Sequence, residues 1–144
     1  MSGITRQLVY LSDAKFGLKM NDIQKILTSS RRNNLNDEVT GLLIYSDGVF
    51  IQILEGVQKT VETVFNRILD DNRHENVDIL LDSNVDSRAF ANWEMAFIES
   101  TPEELGARAG VNGALDRSEV LRLLSQDQSR VTTFLHNFAS ALGD

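Results

Sequence analysis

The chain contains no cysteine, and this absence excludes several classes of chemistry at once. Disulfide cross-links, thiolate zinc sites and thiol nucleophiles cannot form without it. Histidine is almost as scarce, because only His74 and His136 occur in the whole sequence. A metal site built from several histidines is therefore not expected either, and we predict no metal centre.

Long apolar runs and an excess of positive charge are also missing. No apolar run approaches the roughly 18 residues that a membrane span needs, and the N-terminal residues lack the apolar segment of a signal peptide. The net charge is −7, from 14 basic and 21 acidic side chains. Since nucleic-acid binding depends on cationic surface, we do not expect a nucleic acid as partner. The missing apolar run argues in the same way against a membrane as partner. A cytoplasmic location is the simplest expectation.

What is present is the composition of a globular domain. The 144 residues are 42% apolar and 24% charged, which is enough apolar material for one domain with a real core. Alternating or continuous apolar residues predict five strands, at residues 7–12, 39–45, 49–54, 77–82 and 92–98. The Asp47-Gly48 pair between the second and third strands predicts a tight hairpin turn.

Two helices are predicted between these strands. The first starts at Asn21 as N-cap, and the second carries Arg67, Asp71 and His74 towards its C-terminal end. The resulting order predicts an α+β fold, a ferredoxin-like βαββαββ sandwich with both helices on one face of the sheet. In such a sheet we expect the first strand beside the third, and the second strand at an edge.

The tail beyond residue 98 has a different pattern. Thr101 followed by Pro102 predicts a helix start, and residues 116–142 are predicted to be largely helical. One face of the last predicted helix is an apolar stripe, made of Val131, Phe134, Leu135, Phe138 and Leu142. This stripe either covers the second face of the sheet, which we favour, or docks a partner.

Gln52 is the most informative residue of the chain. It lies in the apolar run 49–54 and shares a strand face with Phe50 and Leu54. A buried amide without hydrogen-bond partners costs about 1–3 kcal/mol, so something polar must meet it. If the first strand lies beside the third, the Tyr10 phenol is a direct candidate.

Other polar and aromatic side chains are expected around the same point. The first helix would bring Asn34, and the fifth strand would bring either Trp93 or Met95, which share a face. Such a set under two helices is costly without a polar guest.

Six segments of this chain resemble the BLUF domain, the flavin-binding blue-light sensor module. They occur in the family's order and at its spacing, and together they cover about residues 5 to 98. The segments are 8–12 (Leu-Val-Tyr-Leu-Ser), 30–34 (Ser-Arg-Arg-Asn-Asn), 40–45 (Thr-Gly-Leu-Leu-Ile-Tyr), 50–56 (Phe-Ile-Gln-Ile-Leu-Glu-Gly), 67–74 with Arg67, Asp71, Arg73 and His74, and 88–95 with Arg88, Phe90, Trp93 and Met95. One segment alone is weak support, but the joint set is specific.

The resemblance implies a flavin, usually FAD, held noncovalently between the two helices, with FMN and riboflavin as alternatives. Gln52 would bridge Tyr10 and the flavin N5/O4 region, and Asn34 would bind the polar edge of the ring. The full set of implied cofactor-binding residues is Tyr10, Ile26, Ser30, Asn33, Asn34, Gln52, Leu54, Arg67, Asp71 and His74. Tyr10, Gln52, Trp93 and Met95 would take part in the light response.

The implied activity is photoreception rather than catalysis. Electron and proton transfer from Tyr10 through Gln52 would rearrange the hydrogen bonds around the flavin and shift its absorption to the red. Residues 1–98 would form the sensory domain, and residues 99–144 a helical extension of the same globular unit that leaves no room for an enzymatic output domain. A homo-oligomer, either a dimer or a larger ring, and a separate effector protein are the implied partners.

Each site residue also has a purely structural explanation. Tyr10 could be a core tyrosine, His74 a helix C-terminal cation and Asn33-Asn34 a helix cap, while Arg67 and Asp71 could form an i,i+4 ion pair. Two other functions share the predicted topology. One is a regulatory module that binds a small metabolite without photochemistry. The other is an acylphosphatase-like enzyme, for which we find no Gly-rich anion loop.

Overall fold

The computed structural model describes residues 5–91 and 95–141. Its elements, in chain order, are β1 (Thr5–Ala14), α1 (Met20–Asp37), β2 (Thr40–Ser46), β3 (Val49–Val57), α2 (Gln58–Leu69), β4 (His74–Val85), β5 (Ala96–Glu99), α3 (Pro102–Arg108), α4 (Arg117–Leu124) and α5 (Gln128–Ala141). The fold is α+β, as the sequence predicts, with one open sheet between two layers of helices.

The five strands are ordered β4-β1-β3-β2-β5. β1 lies beside β3, as predicted, and pairs antiparallel with it. The prediction of β2 at an edge is wrong, because β5 pairs parallel with β2 and takes the edge position. A long connection after β4 carries the chain to the far side of the sheet, and local sequence patterns do not record which edge such a connection reaches.

The sheet separates two apolar layers. On one face α1 and α2 contribute Ile23, Leu27, Val61 and Val64, which pack against side chains of β1, β2 and β3 such as Phe50. On the other face the C-terminal helices cover the strands, and the buried side chains of α5 are Val131, Phe134, Leu135 and Phe138. The tail stripe therefore covers the second sheet face, while Leu142 lies outside the described residues.

Several predicted boundaries move. α1 begins at Met20 rather than after an Asn21 cap, and the Asp22 carboxylate accepts the backbone N–H of Lys19 at 2.9 Å. The tail helix is split at residues 125–127 into α4 and α5. Thr101 caps α3 as predicted, because its hydroxyl accepts the N–H of Glu104 at 3.1 Å.

The β2–β3 hairpin forms as the Asp-Gly pair predicts. Asp47 and Gly48 have φ values of 45° and 83°, the left-handed pair that a tight hairpin turn requires. Gly41 on β2 is required for another reason, since a Cβ there would lie 1.9 Å from the carbonyl oxygen of Ile53. This close approach sets how tightly β2 packs beside β3, the strand that carries Gln52.

The described residues contain neither a membrane-spanning helix nor a cluster of metal-binding side chains. None of the helices in residues 5–91 and 95–141 is long and apolar enough to cross a membrane. Within the same ranges there is no group of three or more metal-binding side chains.

Candidate functional site

Tyr10 and Gln52 form a buried pair at the centre of the sheet. They stand directly opposite each other on β1 and β3, with 3% and 4% of their surface exposed. The Tyr10 hydroxyl donates a hydrogen bond to Oε1 of Gln52. The two side chains lie on the sheet face that α1 and α2 cover, so strand alternation and strand order together bring them into contact.

The Gln52 amide group also donates a hydrogen bond to a third residue, Met95. Its Nε2 donates to the Met95 sulfur at 3.3 Å, and Met95 is 2% exposed. Of the two candidates for this position, Met95 is the described neighbour of Gln52, whereas Trp93 lies outside the described residues. Gln52 thus accepts through Oε1 on one side and donates through Nε2 on the other, as an uncharged amide side chain can.

The Tyr10 phenol is strongly held in its protonated form. Burial raises the pKa of Tyr10 well above its usual value, and the negative charge of Asp71 raises that pKa further. The ring lies 5.7 Å from that of Phe65 and 6.1 Å from that of His74, measured between centroids. The phenol is therefore neutral near neutral pH.

Two adjoining clefts lie between α1 and α2 above this pair. They hold about 390 and 470 Å³ of atom-free space, part of which is open to solvent. The walls common to both are Ser30, Gln52, Ile68, Asp71 and Arg73. Gln52 therefore stands where the two clefts meet.

The clefts collect most of the predicted site residues. Tyr10, Ile26 and His74 line the first cleft, with Leu43 and Phe50 as apolar neighbours. The predicted residues of the second cleft are Asn33, Asn34, Leu54 and Arg67. The first cleft thus adds apolar side chains to the shared wall, and the second adds two asparagines and Arg67 to it.

Asn34 has a fixed position at the floor of the second cleft. It is 2% exposed, and its backbone carbonyl accepts the N–H of Val39 at 2.9 Å. The proposed cap at Asn33-Asn34 is wrong, because α1 continues to Asp37 and Glu38 takes the left-handed conformation that ends it. Asn34 therefore lies on the last full turn of the helix, where it faces the cleft.

Asp71 and Arg73 form a tight pair in the turn between α2 and β4. The Asp71 carboxylate accepts the backbone N–H of Arg73 at 2.9 Å and its guanidinium at 2.6 to 3.1 Å. These bonds hold the pKa of Asp71 below its usual value, although burial opposes them, and they raise the pKa of Arg73. The predicted site residues omit Arg73, although an Asp-x-Arg spacing in a polar turn is a signal for such a pair.

The predicted position of Asp71 and His74 on the second helix is wrong. α2 ends at Leu69, so Asp71 lies in the following turn and His74 begins β4. The alternative Arg67–Asp71 ion pair is not formed either, since Arg67 contacts Asp37 at 3.5 Å instead. The helix stops before Asp71 because the segment 70–73 has no apolar residue to pack on the sheet.

His74 connects β1 to the end of α2. Its Nε2 lies 2.7 Å from the carbonyl oxygen of Ile68, and its Nδ1 lies 2.9 Å from the Ser12 hydroxyl. A carbonyl only accepts, so Nε2 carries a proton and donates it there. This contact fixes the imidazole in the wall of the first cleft.

The chemistry of these walls fits a flavin ring. Its pyrimidine edge presents both acceptors and a donor, and the second cleft offers amide, guanidinium and carboxylate groups as complements. Its dimethylbenzene part is apolar, as are Ile26, Leu43 and Phe50 around the first cleft. A flat ring with one polar and one apolar end therefore matches the two clefts.

Comparisons with known proteins agree with this chemistry. A family model described as BLUF, sensors of blue-light using FAD, matches residues 5–96. The blue light- and temperature-regulated antirepressor BluF of Escherichia coli (strain K12) is 28% identical over 92 residues, which are 64% of this chain and 23% of that protein.

Solved structures show the same similarity. The dark-state structure of BlrB, described as a BLUF protein, has a TM-score of 0.77 at 25% identity and covers 98% of this chain and 99% of its own. A bacterial light-regulated adenylyl cyclase is 39% identical with a TM-score of 0.61, over 65% of this chain and 27% of that one. The chain thus spans about a quarter of the length of the antirepressor and of the cyclase, but nearly all of BlrB.

Proposed function

Because this chain belongs to the BLUF family of blue-light sensors that use FAD, we propose that Tyr10 and Gln52 are its photoactive residues. Their direct hydrogen bond at the junction of the two clefts is the observation that carries the proposal. On this proposal the chain acts as a photoreceptor and not as an enzyme.

The light step would use groups that already touch one another. Flavin bound between α1 and α2 would supply a strong one-electron oxidant when blue light excites it. Tyr10 would give an electron to this oxidant while its phenolic proton passes along the existing bond to Oε1 of Gln52, and both would then return to Tyr10, which restores the oxidised flavin. Gln52 then settles with donor and acceptor positions exchanged, which strengthens its hydrogen bond to the ring and shifts the absorption to the red.

The cofactor would be held from three directions. Asn33 and Asn34 approach from α1 with Ile26 and Ser30, and Arg67 approaches from α2. Asp71 and His74 close the end of the clefts beyond α2, and Leu54 lies on the floor beside Gln52. We propose FAD as the cofactor, with FMN or riboflavin as alternatives that the same ring site accepts.

The signal would leave through the segment that follows the photoactive pair. Met95 contacts Gln52 and directly precedes β5, and the chain then enters α3. We propose that residues 99–144 form the output extension of the sensory domain and that Trp93 takes part with Met95. Self-association and a separate effector protein complete the proposal.

Illumination of purified protein tests this function. We expect a yellow protein whose flavin spectrum shifts to the red under blue light and returns in the dark. Gln52→Leu should bind flavin and lose the shift, whereas the matched control Gln24→Leu, on an exposed position of α1, should keep it. Colourless protein that takes up no added flavin, or a flavin spectrum that light leaves unchanged, would favour a binding module without photochemistry.

A further inference from the structure

Arg31 reaches across from α1 to the segment that contacts Gln52. Its Nε donates a hydrogen bond of 3.0 Å to the backbone carbonyl oxygen of Met95. The side chain of the same Met95 accepts from Gln52 through its sulfur. One residue is therefore held at its backbone by α1 and at its side chain by β3.

The chain on either side of Met95 is anchored by other groups. Glu55, which is fully buried, accepts the backbone N–H groups of Ala89 at 2.8 Å and Phe90 at 2.7 Å. After Met95 the chain enters β5, where Ala96 stands beside Leu42 of β2. Arg31 is thus the described side chain that fixes the Met95 backbone between these two anchors.

The side chain of methionine has three rotatable bonds and adapts easily to its surroundings. Its sulfur is also a weak acceptor, so the contact with Gln52 by itself holds Met95 loosely. The bond from a charged guanidinium to a carbonyl is stronger, although Arg31 is exposed to solvent over part of its length. The bond from Arg31 therefore fixes the Met95 backbone, and with it the point from which the side chain reaches Gln52.

We propose that Arg31 is a positioning residue of the light response, which holds the Met95 backbone so that the sulfur stays against Gln52. This inference rests on the proposed function, because it assigns Arg31 to the step that follows the rearrangement of Gln52. Among the described residues Arg31 makes no hydrogen bond to Tyr10 or Gln52, so its route to the pair runs through Met95.

Methyl NMR of methionine tests the positioning directly and without illumination. The chain has three methionines, and Met20, which is 38% exposed, serves as internal reference. In flavin-free and flavin-loaded protein alike, Arg31→Ala should move and broaden the Met95 methyl signal and leave that of Met20 in place. Arg31→Lys should restore it in part, since lysine keeps one charged donor. Arg32→Ala, the neighbouring exposed arginine, is the matched control and should move neither signal.

A double-mutant cycle on the dark recovery of the lit state separates positioning from a general effect. Arg31→Ala should change the recovery rate by about threefold or more, as the loss of a partly exposed charge-assisted bond predicts. In a Met95→Leu background the same substitution should have little further effect, because the sulfur that it positions is gone.

Three outcomes overturn the inference: an unmoved Met95 signal in Arg31→Ala, a recovery rate equal to that of Arg32→Ala, or additive effects in the cycle. If Arg31→Ala binds no flavin, the flavin-free NMR comparison decides. Failure of the proposed function looks different, because the unsubstituted protein itself would then show no red shift.

Discussion

The bond between Tyr10 and Gln52 makes a quantitative prediction that does not depend on light. Tyr10→Phe removes one oxygen atom and keeps the ring, so it leaves Oε1 of Gln52 buried without its donor. Gln52→Leu does the reverse and leaves the Tyr10 hydroxyl buried without its acceptor. The double substitution removes both partners and leaves neither group orphaned.

The sizes follow from the burial of the pair. With 3% and 4% exposure neither group has ready access to water, so each single substitution should lower the free energy of unfolding by about 1–3 kcal/mol. The double variant should lie within about 1 kcal/mol of the unsubstituted protein, because replacing both partners by apolar groups of similar shape is nearly neutral. The two single effects should therefore be strongly non-additive.

Urea unfolding of flavin-free protein measures this cycle on the chain alone. The same three variants loaded with flavin should all lack the light-induced red shift, since each lacks the electron donor or the proton relay. If the two single costs simply add in the double variant, the hydrogen bond is not made in the folded chain. If Tyr10→Phe keeps a normal red shift, Tyr10 is not the electron donor.

Three further substitutions address the surroundings of the pair. Arg73→Gln in flavin-free protein should make the free energy of unfolding fall less steeply as the pH is lowered. Arg73 holds the pKa of Asp71 below its usual value, and this contributes stability that is present above about pH 4. In the unsubstituted protein that contribution is lost as the pH falls through the pKa of Asp71 in the folded state. Unfolding free energies measured between about pH 2 and 6 check this. Glu55→Gln should lower the free energy of unfolding in urea by about 1–3 kcal/mol. The new amide N–H group would face the three groups that now donate to Glu55, which are the Gln7 amide and the backbone N–H groups of Ala89 and Phe90. Gly41→Ala should cost about 3 kcal/mol or more, because its Cβ would overlap the carbonyl of Ile53.

Each of these has an outcome that would contradict it. An unchanged pH profile in Arg73→Gln would mean that another cation lowers the pKa of Asp71. A neutral Glu55→Gln would show that the loop at residues 89–90 is held by other contacts. A stable, soluble Gly41→Ala protein would show that β2 can separate from β3 at little cost. Gly48→Ala cannot serve as the control for Gly41→Ala, because Gly48 has a positive φ and an alanine there would be strained for that reason alone.

Local patterns predicted much of the fold. Apolar alternation located β1, β2 and β3 to within about two residues at most ends, and the Asp-Gly pair located the hairpin between β2 and β3. The place of β5 was not predictable in this way, because parallel pairing with β2 depends on where a long connection lands. The second strand was consequently assigned to an edge that β5 occupies.

The candidate site, like the fold, was predicted from local patterns only in part. The predicted neighbourhood of Tyr10 and Gln52 followed from strand order and alternation, and both residues lie in the cleft walls. The positions of Asp71 and His74 were misassigned because helical spacing was extended past Leu69, where α2 ends. Arg31 and Arg73 were not predicted to be site residues. No local pattern marks the carbonyl that Arg31 meets 64 positions away, whereas the Asp-x-Arg spacing does mark the pair of Asp71 and Arg73.

The sequence by itself determined which side chains share a face, because the two-residue period of a strand and the 3.6-residue period of a helix are properties of the local backbone. It thereby determined that a polar amide would be buried at position 52 and would need partners. Only the tertiary structure decided that Met95 is one of those partners and that Arg31 holds it there. Contacts between residues more than 40 positions apart depend on how the whole chain closes the sheet, and no local period encodes that closure.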